Sequence, residues 1–183
     1  MIIKLVSYPT WERLSLKQRI IRINTVSAIL NNEDADFVLF SEWVFNRKED
    51  LDAVCQLVHN NRVTALFELK LTRGLIGNQL FLLQNGEIID LKTHQIFSKH
   101  EDATEENIAK LIDELEQRRQ FEVLGKRFLI IQCGENNILK TQRNTKNRAE
   151  FRLLNRELKR RFDRVVNNVD VVLNPVHTKW GRF

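Results

Sequence analysis

Short apolar runs and helical stripes take turns along this chain. Ile2 to Ser7 is a run of β-branched type closed by Pro9 and reads as a strand. Ser15 and Gln18 have the spacing of a capping box, and Leu16, Ile20, Ile23, Val26 and Leu30 recur every third or fourth residue, which predicts a helix ending at Asn31-Asn32. Phe37 to Phe40 is continuously apolar, as in a strand covered on both faces, and it delivers Ser41 and Glu42 at its carboxyl end. A second helix is expected over Glu49 to Asn60, with Leu51, Val54, Cys55 and Val58 on its apolar side.

Ala65 to Leu71 and Asn78 to Gln84 are further strand-like runs. The second meets Asn85-Gly86, the strongest short hairpin signal, before Glu87 to Phe97 returns antiparallel. Thr104 to Arg119 has an acidic first turn, an apolar face of Ile108, Leu111, Ile112 and Leu115, and a basic end, which is a helix. A linker closed by Gly125 leads to Arg127–Gln132, a buried-type strand presenting Cys133-Gly134-Glu135. A long basic helix is expected over about Lys146 to Val166, striped by Phe151, Leu154, Leu158, Phe162 and Val165. A last strand, Val169 to Leu173, runs into Asn174-Pro175. This alternation, with a hairpin midway, predicts an α/β fold with mixed sheets. Ligands in such folds lie beyond the carboxyl ends of the strands, which gathers Glu42, Cys133 to Glu135 and Asn174 to His177 at one rim.

At 183 residues, with 43% hydrophobic and 29% charged, the chain reads as a single globular domain over residues 1–183 and excludes disordered and fibrous classes. A chain of this size buries about 70% of its unfolded surface, so its core needs neither disulfides nor structural metal. No apolar run approaches the roughly 20 residues that a bilayer demands, which predicts no membrane association. The start of the chain has no secretory pattern, and Cys55 and Cys133 show no framework spacing, which together point to a reducing cytoplasm. Charge is uneven. Lys140 to Arg164 holds ten basic and three acidic residues within a chain whose net charge is +5. Arg148, Arg152, Arg156, Lys159 and Arg160 share one face of the basic helix 146–166. That face reads either as a solvated surface or as a contact for an anionic partner or nucleic acid, though no nucleic-acid motif accompanies it.

Chemistry concentrates on few residues. Cys133, at the end of a buried strand and followed by a glycine, is placed like a nucleophile, although on position alone a buried structural thiol is the commoner description. Glu42 follows an apolar strand, where partial desolvation would suit a general base, and the alternative is a solvated strand end. Lys99 or Lys92, on or just past the returning hairpin strand, is placed to stabilise an oxyanion. His59, His94, His100 and His177 are scattered and no pair has zinc spacing, so no metal site is expected. His177 lies at the proposed rim and is a candidate substrate contact.

In their order these segments resemble the carbon-nitrogen hydrolase, or nitrilase, superfamily. Ala35 to Glu42 looks like the family strand that ends in the base glutamate. Asn78 to Ile89 looks like the hairpin before the family lysine, Gly125 to Cys133 like the strand that presents the cysteine, and Val169 to Pro175 like the strand that ends in Asn-Pro. The resemblance implies a four-layer α-β-β-α sandwich and a thiol hydrolase of amide, nitrile or carbamoyl substrates that needs no cofactor. It makes Glu42 the base, Lys99 (or Lys92) the cation beside the tetrahedral intermediate, and Cys133 the nucleophile. Gly134, Glu135 and His177 become substrate contacts, with the Gly134 N–H as an oxyanion donor. Homodimerisation is also implied. Three features depart from the family pattern: the lysine motif, Cys133-Gly134-Glu135 in place of a cysteine-aromatic-acid sequence, and the long basic stretch before Asn174. The family continues beyond its Asn-Pro strand, so this chain is expected to lack those elements or to be a fragment. A catalytically inactive protein of the same fold, binding an anionic partner through the basic helix, is the other expectation.

Overall fold

The computed structural model describes residues 1–7, 14–32, 34–141 and 149–175, except the side chains of residues 41, 42 and 141. It is mixed α/β, and its contacts divide it into two compact units, Met1–His94 and Gln95–Val176.

The first unit is built on a five-stranded sheet of order β1-β2-β3-β4-β5. β1 (Ile3–Ser7), β2 (Phe37–Phe45) and β3 (Thr64–Lys70) run parallel, and β4 (Asn78–Gln84) and β5 (Glu87–His94) continue antiparallel. Helices α1 (Leu16–Asn31) and α2 (Lys48–Leu57) supply the parallel crossovers. α1 begins at the expected capping box, in which the Gln18 N–H donates to Ser15 Oγ and the Ser15 N–H to Gln18 Oε1 at 2.9 Å. Val26, Leu30, Leu51 and Val54 of the helices close one core with Val38, Phe40, Phe67 and Phe81 of the sheet, where the Phe40 and Phe67 rings stack at 4.7 Å. Phe37 and Leu39, on the opposite side of β2, are buried as well, as its unbroken apolar run requires. The Asn85-Gly86 turn has φ of 53° and 79°, both left-handed, which explains the Asn-Gly pair.

β2 does not stop at Phe40. Its register with β3 shifts between Phe40 and Trp43 and again before Phe45, so Glu42 lies within a bulged strand and not at its carboxyl end. The bulge lets Trp43 and Phe45 rejoin the ladder, a continuation that the polar pair Ser41-Glu42 hides from a reading by hydrophobicity alone.

The second unit centres on a three-stranded sheet of order β10-β7-β6. β6 (Gln120–Val123) and β7 (Lys126–Ile130) form a hairpin, and β10 (Val171–Leu173) lies parallel to β7. β6 replaces the expected linker, because Leu124 and Gly125 at φ of 50° and 73° make a tight turn of what reads as a break. α3 (Glu105–Gln117) is capped by Thr104, whose side chain accepts from the Asn107 N–H. α4 (Arg156–Asn167) is capped by Asn155, whose side chain accepts from the Glu157 and Leu158 N–H groups at 3.0 Å. Ile108, Leu111, Leu115, Leu158, Phe162 and Val165 of these helices bury Leu129 and Ile131.

The basic helix is therefore shorter than 146–166. Ala149–Phe151 is β9, paired with β8 (Leu139–Thr141), so Phe151 is buried from a strand. Leu154 is 95% exposed in the connection, outside any apolar stripe. Arg152 does not join a basic face, since it donates to the carbonyls of Asn137 and Leu139. Asn155 starts the helix late because its side chain competes for the first backbone donors. Arg148 lies outside the described residues. No helix among the described residues is long and apolar enough to cross a membrane.

Candidate active site

Beyond β7 the chain makes an elbow. Ile131 and Gln132 continue out of the strand, and Cys133 opens a 3₁₀ turn, Cys133–Ile138, with φ of 21°, a backbone region that costs a non-glycine residue strain. The strain is held from several sides. The Ile131 N–H donates to the Leu173 carbonyl and the Cys133 N–H to the Pro175 carbonyl, both at 2.9 Å. Asn174 Nδ2 donates to the carbonyls of Ile131 and Cys133, while Asn174 Oδ1 accepts from Asn136 Nδ2 at 2.7 Å. The sequence expectation that Cys133 and Asn174-Pro175 share a rim is met within this unit.

Gly134 is fixed by lack of space. A Cβ there would lie 2.0 Å from the Ser98 carbonyl oxygen, closer than any side chain allows. Asn137 Nδ2 donates to the same Ser98 carbonyl at 3.2 Å and to that of Gly134 at 2.8 Å, binding the segment before Lys99 to the elbow. The Gly134 N–H has no hydrogen-bond acceptor among the described residues. Cys133 is half-buried and forms no disulfide.

Beneath the elbow is an ion pair between Arg119 and Glu135, both with 0% side-chain exposure. Arg119 donates through Nη1 to Glu135 Oε2 and through Nη2 to Oε1 at 3.2 Å. The Ile96 N–H donates to Oε1 at 2.7 Å and the Gln132 N–H to Oε2 at 2.9 Å. Burial pushes the Glu135 carboxyl up from its ordinary value, and the guanidinium and the two backbone donors pull it back down. Glu135, expected to contact substrate, turns inward instead and braces the residues on either side of Cys133. Arg119 reads in sequence as a helix-end cation. Its signal was the alternation Arg119, Phe121, Val123, which puts it on the inner side of β6.

The other expected residues are placed as follows. Lys99 is exposed, just past Ser98; its carbonyl accepts from the Asp102 N–H at 3.2 Å, and its ammonium has no hydrogen-bond or ion-pair partner among the described residues. Lys92 lies in the first unit, exposed at φ 51° where β5 bulges, and its N–H donates to Asp90 Oδ1 at 2.8 Å. Glu42 belongs to the first unit, and its side chain lies outside what the structure describes. His177 lies outside the described residues. Cys55, on α2, donates its thiol to the Gly86 carbonyl at 3.2 Å, which is packing. Among the described residues no group of three His, Cys, Asp or Glu side chains is arranged to hold a metal.

On α4, Arg161 donates to Asp113 and Glu116 of α3, and Lys159 pairs with Asp163 one turn on. Part of the basic surface thus serves helix–helix docking. No protein-family model and no curated protein matches the chain.

Proposed function

We propose that the chain is a thiol hydrolase of non-peptide carbon–nitrogen bonds, acting on amides, nitriles or carbamoyl compounds, with the nitrilase-like α-β-β-α sandwich that its order of elements resembles. The observation that carries this reading is the strained Cys133 elbow, with an N–H on the next residue that has no acceptor among the described residues and a bracing pair that is fully buried. A packing cysteine needs none of these. In this reading the Cys133 thiolate attacks the amide carbon, and the S–C bond forms as the carbonyl electrons move onto oxygen. The Gly134 N–H receives that oxyanion, and such a donor is worth about 3 kcal/mol in acyl-transfer enzymes. Collapse breaks the C–N bond, with the thiol proton passing to the leaving amine, and water then cleaves the thioester. Glu42 is the proton carrier that the resemblance assigns, and Lys99 the cation, with Lys92 as the alternative. Glu135 and Arg119 position Cys133 and touch no substrate.

The experiment is iodoacetamide alkylation of Cys133 against pH in a Cys55→Ser background, with and without Glu42→Gln, followed by ammonia release from an amide and nitrile panel. A reactive thiolate should alkylate well below the free-thiol value of about 8.5, and its profile should move when Glu42 is neutralised. A rate that rises only above that value and ignores Glu42 overturns the reading, as does ammonia release that survives Cys133→Ala.

The rival reading of a basic-helix binding protein gains no observation. Arg152 is off the helix, and Arg161 and Lys159 are already paired.

A further inference from the structure

We infer that the first unit carries a binding site for a small, multiply charged oxyanion of the phosphate-ester class, in the cleft at the carboxyl ends of β2 and β3. This goes beyond the hydrolase reading and does not rest on it. The cleft has a volume of about 640 Å³, enough for a metabolite-sized ligand. Its walls are Asn46 and Arg47 just past β2, Lys70 to Arg73 at and past β3, and Arg19 and Asp50 from the helices. In an open parallel sheet this is where ligands bind.

Charge decides the kind of ligand. Arg19 Nε donates to Asp50 Oδ2 at 2.9 Å, and its Nη2 to Oδ1, so these two neutralise each other. Asp50 is the only acid in the described wall, which leaves Arg47 and Arg73 uncompensated there, while Lys70 also feels Glu68 behind it. Residues 1–94 as a whole carry eleven basic and eleven acidic side chains, so this positive wall is local segregation, not a spill-over of net charge. Arg47 and Arg73 are exposed, and neither guanidinium has a hydrogen-bond or ion-pair partner among the described residues. Guanidinium forks match the geometry of phosphate and carboxylate oxygens.

The site is partly built in advance. Lys70 Nζ donates to Asn78 Oδ1 and the Gly74 carbonyl and stands 4.9 Å from the centre of the Trp43 ring, so the cation is fixed in place. Burial lowers its pKa from the ordinary lysine value, against the pull of Glu68. The loop that carries Arg73 is closed by the Leu71 N–H on the Gly77 carbonyl at 2.9 Å. Only glycine fits at 77, because a Cβ there would meet the Thr72 carbonyl oxygen at 2.0 Å. The cations line a concavity and do not form a stripe along a helix or strand, which favours a small anion over a nucleic-acid backbone.

The test is isothermal titration of the full chain with pyrophosphate and with glycerol 3-phosphate, at a constant ionic strength of about 0.15 M. The expected result is saturable one-to-one binding, weakened about tenfold or more by Arg47→Ala with Arg73→Ala or by Lys70→Gln, since each removes a charge-assisted donor. Arg156→Ala with Arg160→Ala, on α4 of the second unit, should leave it unchanged. Circular dichroism establishes that each variant is folded. Absence of saturable binding to both probes overturns the inference, as does equal weakening by the α4 variant or no weakening by the cleft variants. Binding of a DNA duplex alone, with a steep salt dependence, would move the surface to nucleic acid and overturn it too. The readout is affinity, so its failure is separate from any failure of the hydrolase reading.

Discussion

Replacing Arg119 by Met tests whether the buried pair is what holds the elbow. The Glu135 carboxylate receives four donors, two from Arg119 and one each from Ile96 and Gln132, and none of its side-chain surface meets solvent. Losing the guanidinium removes both charge-assisted bonds and strands a carboxylate in the core, so the expected cost is about 3–5 kcal/mol. Against a total stability of about 5–15 kcal/mol that is a large share. The variant should also become sensitive to pH. With Arg119 gone, burial acts on Glu135 less opposed and raises its folded pKa further above the unfolded value of about 4.3. A group raised in this way contributes stability that is present below its unfolded pKa and lost as pH rises through the folded one. The deficit should therefore be smaller near pH 5 than near pH 8. In Arg119→Met with Glu135→Gln no charge is stranded, so the double variant should be less destabilised than the sum of the singles, by up to about 3 kcal/mol. The three tryptophans, Trp11, Trp43 and Trp180, lie outside Gln95–Val176, so the assay is urea unfolding by far-UV circular dichroism together with exchange of the Ile130 amide, which donates to the Arg119 carbonyl at 3.0 Å. A cost below about 1 kcal/mol that does not change with pH would show the pair to be solvated and refute this account.

Gly134→Ala should displace the elbow, because the new methyl meets a backbone carbonyl at 2.0 Å, and Cys133 alkylation should lose any shift in its pH profile even where the chain still folds. Phe162→Ala should cost about 3–5 kcal/mol as a core deletion, whereas Leu154→Ser, at 95% exposure, should stay within about 0.5 kcal/mol; chemical denaturation separates the two. Asp170, which accepts from the Arg127 N–H at 2.8 Å, is held below the ordinary aspartate value chiefly by that bond. Its contribution is present above the ordinary value of about 3.9 and is lost as pH falls through the folded one, so Asp170→Asn should flatten the acid limb of a stability–pH curve.

Periodicity made the parts legible where one rule acted alone. The Ser15–Gln18 capping box, the Asn85-Gly86 hairpin and the apolar face of α3 follow directly from local chemistry, whereas on α1 Val26 and Leu30 are buried and the expected Leu16 and Ile20 are exposed. It failed where two rules compete. Ser41-Glu42 looks like a strand end because polar residues interrupt the run, yet the sheet absorbs them in a bulge. Phe151 and Leu154 fit a helical spacing by coincidence, and Asn155 decides where α4 begins. Of the site, the placement of Cys133 and Asn174-Pro175 was legible as strand ends. The pairing of Arg119 with Glu135 was not, because the alternation of Arg119, Phe121 and Val123 marks an inner face but does not name the partner 16 residues on.

The brace on Cys133 also has an order in time. Asn174, which donates to the Cys133 carbonyl, lies 41 residues further along the chain. A ribosome adds residues at about 5–20 per second, so the cysteine emerges about 2–8 s before its brace exists. During that interval Cys133 has no β10 beside it. The elbow is completed only with the unit, and a nascent or cut chain that ends before Asn174 carries Cys133 without the contacts of Asn174 and Pro175.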